Sequence, residues 1–177
     1  VRVEAIGLNF ADLFAAQGLY SATPRGSFVP GLECAGVIEA LGPDWPADSG
    51  LGVGDRAIAL TRFGAYATAL NAGVAYLRPV PPGWSAAQAA AWPVQGLTAW
   101  YGLVPLGDVQ PGKVVLVQSA AGGVGLMALD MLRAQPTRAR TSPEETREGM
   151  EKEDVAIIPM AVPMLAGSRL MGVLFAE

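Results

Sequence analysis

The stretch from Ser119 to Gly125 reads Ser-Ala-Ala-Gly-Gly-Val-Gly. The apolar run Val114–Val117 precedes it, and the helix-forming run Leu126–Ala134 follows. Its spacing is A-x-G-x-x-G, with Ala120 where a first glycine would stand. A strand, a glycine-rich turn and a helix in that order are the context a dinucleotide fingerprint requires. Gly122 lets a pyrophosphate approach the backbone, and Gly125 lets the helix pack close to the strand. Across Ala121, Gly122, Gly123, Val124 and Gly125 the helix N-terminus offers unpaired N–H groups and a partial positive charge to phosphates. A tight turn that only packs a helix on a strand meets the same pattern, so both readings stand here.

Other chemistry is limited by what the chain lacks. Its 177 residues include no histidine and one cysteine, Cys34. The commonest metal ligand and the commonest general base are therefore both missing. A His-dependent hydrolase triad is excluded, and no metal site is expected. One thiol cannot form an internal disulfide, so nothing points to an oxidising compartment and a cytoplasmic location is expected. Cys34 lies in an apolar run and reads as an inert core thiol. Net charge is −4 and no basic stretch is long enough to track a phosphate backbone, so nucleic acid is not an expected partner.

These groups need a scaffold. The chain is 51% hydrophobic, enough for a packed core, and its 22 Gly and 14 Pro imply many turns. Val1–Ala5 alternates like a half-buried strand, and Asn9–Gln17 reads as a short helical turn. Gly18–Pro30 is a loop; Gly31–Leu41 is an apolar strand whose Gly36 marks a bulge or a close backbone approach. Pro43–Gly54 is a turn-rich loop, and Asp55–Leu60 and Ala65–Leu70 read as further short strands. Val74–Val80 then leads into Pro81-Pro82-Gly83. Ser85 is an N-cap candidate for a helix to Ala91, and Val94–Leu103 forms a second helix. The chain opens Val1-Arg2-Val3-Glu4, which reads as the middle of a strand and predicts an N-terminal truncation.

With these motifs in order, the chain from Val1 to about Ala134 resembles the zinc-independent quinone oxidoreductases of the medium-chain dehydrogenase/reductases. Within that family it resembles the vesicle amine transport protein-like branch. Gly112-Lys113, the glycine turn and Arg133 follow that family's signature; Asp130 stands where the family carries Gln. Gly7-Leu8-Asn9-Phe10-Ala11-Asp12 with Gln17-Gly18-Leu19-Tyr20 resembles its active-site segment. Pro30-Gly31-Leu32-Glu33-Cys34-Ala35-Gly36, Gly54-Asp55-Arg56 and Gly96-Leu97-Thr98-Ala99 match as well. Zinc-dependent relatives carry Gly-His-Glu where this chain has Gly31-Leu32-Glu33, and Leu32 cannot bind a metal.

The resemblance implies a β plus α/β fold: a GroES-like barrel over residues 1–84, N-terminally truncated, then the truncated start of a Rossmann domain over 85–134. It implies hydride transfer from NADPH, with NADH left open, to a small-molecule quinone or enone. It also implies a homodimer in the full-length protein. Without zinc, an oxygen gaining negative charge must be met by hydrogen-bond donors. By resemblance, Asn9 and Tyr20 lie near the nicotinamide, and Thr98 holds its ribose or ring. Asn9 can equally be a helix N-cap, Tyr20 a rim aromatic and Thr98 a helix-surface hydroxyl. Asp12 supports the loop.

Residues 135–177 differ in character: a charged linker, then an apolar run broken by Pro159 and Pro163. About 136–167 resembles MarC-type integral membrane proteins, although Ser168-Arg169 departs from their Gly-Pro-Gly ending. Val155–Gly167 is too short to span a bilayer, which takes about 20 residues. The tail is expected to supply no recognisable Rossmann strand unless it folds back beside Val114–Val117, and its membrane association is left open. Two alternatives remain beside a weakly active enzyme fragment. One is a non-catalytic nucleotide-binding or scaffold protein on the same fold. The other is a chimeric chain with a membrane-protein tail.

Overall fold

The computed structural model describes residues 1–134 and 155–158. Within them the chain divides into two compact units, Val1–Val94 and a second that begins at Gln95.

The first unit is built on strands β1 (Arg2–Ile6), β2 (Glu33–Val37), β3 (Arg56–Leu60) and β4 (Leu77–Pro79), with helices α1 (Phe10–Ala16) and α2 (Ala86–Ala91). The strands form one antiparallel sheet in the order β1-β2-β3-β4. β1 alternates exposed and half-buried residues, as its sequence pattern predicts. β2 and the centre of β3 are buried on both faces. Cys34, Ala57, Ala59 and Leu77 pack on one side with Ile38 and Leu70. Ala35 and Ile58 meet Ala89 and Ala90 of α2 on the other. Alanines on both partners let α2 lie close to the sheet. Its start is set locally: Ser85 Oγ accepts from the Gln88 N–H, and Gln88 Oε1 accepts from the Ser85 N–H. Gly36 pairs with Val3 beside a register shift, and a Cβ there would strike the Arg2 carbonyl.

One sequence expectation changes in this unit. Ala65–Leu70 forms no ladder strand; a single bridge joins Arg2 to Ala69. The segment still lies beside β1, where the Val3 N–H donates to the Thr68 carbonyl at 2.9 Å. The compact units divide after Val94. The reason is packing: α2 buries Ala89 and Ala90 on the β sheet and stays with it.

The second unit takes in most of α3 (Pro93–Tyr101), a π-helical turn (Gly102–Leu106), β5 (Val114–Val117), α4 (Gly123–Ala134) and β6 (Val155–Ile158). α3 is shorter than the predicted Val94–Leu103 because the coil widens around Pro105, which has no N–H to donate. Gly107 N–H reaches back to the Gly102 carbonyl at 2.9 Å. Ala99, Leu103, Val109 and Ala128 form the core, flanked by Val115, Val117, Val124 and Met127.

β5 pairs with β6 in parallel, from Val114 opposite Val155 to Val117 opposite Ile158. The tail, expected to bring no recognisable strand unless it folded back beside β5, does fold back there over Val155–Ile158. A parallel strand needs a neighbour for its N–H and C=O groups, and the backbone of Val155–Ile158 supplies one. The remainder of the charged linker and of the Pro-interrupted run, 135–154 and 159–177, lies outside the described residues.

Candidate functional site

In the first unit the predicted residue Asn9 sits where three segments meet. It caps α1 from an extended backbone. Its backbone N–H donates to Asp12 Oδ2 at 2.9 Å, so Asp12 closes the first turn of the helix. Its side-chain amide points elsewhere, donating from Nδ2 to Glu33 Oε1 at 2.8 Å. Asn9 thus holds the N-cap position by its backbone, with no side-chain cap hydrogen bond, and its amide donates to Glu33 instead.

Glu33, at the start of β2, is 0% exposed. Its other oxygen, Oε2, accepts from the Val94 N–H at 2.7 Å. Val94 lies in the first turn of α3, where backbone N–H groups have no partner inside the helix. Burial raises the Glu33 carboxyl from 4.5 to about 7; the bonds from Val94 and Asn9 pull it down, and the charge of Asp12 pushes it up. Gly7 makes room for this carboxylate. A Cβ on Gly7 would run into Glu33 Oε1 and Cγ and the Ala90 carbonyl.

Asp12 is 5% exposed, and its Oδ2 also accepts from the Tyr66 hydroxyl at 2.8 Å. Its Oδ1 is buried without a partner among the described residues. The Tyr66 hydroxyl is raised by burial, then by its bond to Asp12 and by the charges of Asp12 and Glu33. Tyr20 lies within the electrostatic reach of Asp12 but packs on another aromatic ring. Its ring meets Phe63 edge-on at 6.4 Å, and Phe63 in turn meets Phe28 at 5.1 Å. Burial raises the Tyr20 hydroxyl, opposed by Arg62 and helped by Asp12. The Cys34 thiol is fully buried, and burial pushes it up to about 11.

The second unit carries the glycine turn between β5 and α4. Gly122 N–H donates to the Ser119 carbonyl at 2.9 Å, and the Leu126 N–H to the Gly122 carbonyl at 2.8 Å. Ala121 and Gly122 are exposed, Gly123 and Val124 half-buried, and Gly125 buried. A Cβ on Gly125 would collide with the Ser119 carbonyl and lie 2.7 Å from Ala120 Cα. Gly125 is thus the close-packing glycine that the spacing predicts. A Cβ on Gly122 meets only the Ser119 oxygen, at 3.2 Å, on an open face. A Cβ on Gly123 would strike the Gln95 side chain, so α3 packs on the first turn of α4. Thr98, one helical turn beyond Gln95, is 7% exposed and is not the surface hydroxyl of the alternative reading. Asp130 is exposed and pairs with Arg133 at 3.7 Å. The turn therefore fits a dinucleotide: its backbone is exposed at the helix start, and its buried glycine sets the helix close.

Among the described residues, no group of three or more His, Cys, Asp or Glu side chains is placed to hold a metal ion. No helix among them is long and apolar enough to cross a membrane.

An antiparallel, doubly buried sheet followed by a parallel strand–glycine turn–helix is the architecture of the medium-chain dehydrogenase/reductases: a GroES-like domain, then a Rossmann-type unit. The chain belongs to the alcohol dehydrogenase GroES-like domain family, whose model matches residues 1–105. A minor match, to the MarC family of integral membrane proteins, covers 116–175 and overlaps β5, the glycine turn and α4. The chain is 41% identical over 133 residues to the synaptic vesicle membrane protein VAT-1 homolog of Danio rerio, covering 75% of this chain and 27% of that protein. The quinone oxidoreductase of Thermus thermophilus, solved also with NADPH, is 36% identical with a TM-score of 0.66. That match covers 89% of this chain and 50% of that one. The CurK enoyl reductase is 31% identical, with a TM-score of 0.69 and the same coverages, 89% and 50%. The chain thus spans half or less of the length of these relatives.

Sequence reasoning placed Asn9 and the glycine turn but missed Glu33, Tyr66 and Gln95 as their neighbours. One signal was available for Glu33: it is the only charged residue in Gly31–Ile38, and a buried carboxylate requires partners.

Proposed function

We propose that this chain is part of a zinc-free, NADPH-dependent oxidoreductase that transfers hydride to a quinone or an electron-poor alkene. The observation that carries the reading is the turn Ser119–Gly125, set between β5 and α4 in a chain of the GroES-like family. NADPH supplies the hydride when bound. Backbone N–H groups of the turn and first turn of α4 that are not already paired, the Gly122 N–H being bound to Ser119, hold the pyrophosphate, aided by the α4 dipole. Thr98 holds the nicotinamide ribose or ring. Asn9 has a second Nδ2–H beyond the one given to Glu33, and with the Tyr20 hydroxyl it meets negative charge growing on the acceptor oxygen. Solved relatives that are a quinone oxidoreductase and an enoyl reductase support this acceptor class. The test is a fluorescence titration with NADPH, paired with NADPH oxidation in the presence of quinones and enones. The parent chain is expected to bind NADPH, and Gly122→Val to abolish binding by covering the exposed backbone. The sheet carrying the turn has two strands among the described residues. Turnover by these residues alone is therefore expected below the ordinary range of about 1–1000 s⁻¹. Equal NADPH binding by parent and variant would remove the turn as the cofactor site.

A further inference from the structure

We propose that Glu33 is the positioning residue for Asn9, fixing its side-chain amide as a hydrogen-bond donor; this rests on the reading of Asn9 as the donor to the acceptor oxygen. A primary amide has an oxygen end and an NH₂ end of nearly the same shape, so its partners decide which end goes where. An ionised carboxylate only accepts, and it therefore selects the NH₂ end. Here the carboxylate is itself held at both oxygens, by Asn9 Nδ2 at 2.8 Å and by the Val94 N–H at 2.7 Å. It has little room to turn, because it is fully buried and packed over Gly7. The Asn9 backbone is anchored separately by Asp12. With main chain and one N–H both fixed, the second N–H has a defined direction and no need to reorganise when charge appears.

Protonation of Glu33 removes that selection, since a carboxylic acid both donates and accepts. The Asn9 amide can then turn its oxygen toward Glu33. Three titratable groups lie near the carboxyl: Asp12, on α1; Tyr66, whose hydroxyl is bound to Asp12; and Cys34, the next residue of β2, whose thiol feels the Glu33 charge. The Val94 N–H approaches from α3. Burial places the Glu33 transition at about 7.

The experiment uses the full chain with selective ¹⁵N-asparagine labelling. Asn9 and Asn71 are its asparagines, and Asn71→Ser assigns the two NH₂ pairs. Across a pH titration the Asn9 pair is expected to shift with a midpoint near 7, while the exposed Asn71 pair does not. Glu33→Gln, close in shape, is expected to erase the inflection. An Asn9 pair that tracks Asn71, or that titrates unchanged in Glu33→Gln, overturns the proposal; the parent titration decides even if the variant fails to fold. NADPH-linked quinone reduction separates the two ideas. If the NMR inflection is present but Asn9→Ala keeps full kcat, the clamp stands and the donor role of Asn9 falls. If both hold, Glu33→Gln lowers kcat, leaves KM for NADPH unchanged and flattens the pH profile.

Discussion

Replacing Glu33 with Gln should remove a pH dependence of stability from the first unit. Glu33 is 0% exposed, and burial is the main reason its carboxyl moves from 4.5 to about 7. Between those values the folded chain holds a proton that the unfolded chain has released. Stability rises with pH only where the unfolded state binds more protons, so here it must fall as pH rises through the window. The loss is complete once pH passes the folded value near 7, and it amounts to about 3 kcal/mol. That is a large share of the roughly 5–15 kcal/mol that a domain possesses. Gln matches the neutral acid, with one acceptor oxygen and donor capacity at the other end. Parent and variant should therefore be near-equal below pH 4.5, and the variant should become the more stable above 7. Urea unfolding followed by tryptophan fluorescence measures this, with Trp45 and Trp84 reporting from the first unit. Subtracting one curve from the other cancels groups common to both chains. Cys34, at about 11, titrates outside the window. Parallel parent and variant curves from pH 4.5 to 7 would refute the reasoning, since Glu33 would then not hold its proton through folding.

Two further outcomes follow from packing. Gly125→Ala should destabilise the second unit by about 1–3 kcal/mol through overpacking, despite roughly 1 kcal/mol of gained helix propensity. The contacts are Ser119 and Ala120 backbone, which cannot swing away. Gly122→Ala, with one contact at 3.2 Å, should change stability little, and equal loss of hydrogen-exchange protection in α4 for the two variants would contradict this. Cys34 should resist maleimide in the native chain and react only on unfolding, because its thiol is buried and pushed up to about 11. Rapid stoichiometric labelling without denaturant would show that β2 opens far more readily than its burial implies.

Helix α2 was legible because its cap, Ser85 with Gln88, lies within one turn of chain. Helix α1 was legible as the short run Asn9–Gln17, but not the way it is capped, with Asp12 Oδ2 accepting from the Asn9 N–H. Ala65–Leu70 was misjudged because alternation marks a strand-like surface but cannot say whether a full ladder forms. The end of α3 was overrun because Pro105 acts on the coil several residues before it. β6 went unrecognised because a four-residue apolar run identifies neither its partner nor its direction.

By itself the sequence determined the absence of histidine chemistry, the strand–turn–helix order around Gly122 and Gly125, and the family signature over its first part. Each is a property of residue types or of neighbours a few positions apart. Only the tertiary structure decided what surrounds Asn9. Its amide partner is 24 residues away, Glu33 reaches Val94 across 61, and Tyr66 reaches Asp12 across 54. Those meetings depend on sheet register, which sends successive side chains to opposite faces, so a slip of one residue would turn Glu33 away from Asn9. Register is set by the packing of the whole sheet against α2 and its buried alanines, and no local stretch of sequence contains it.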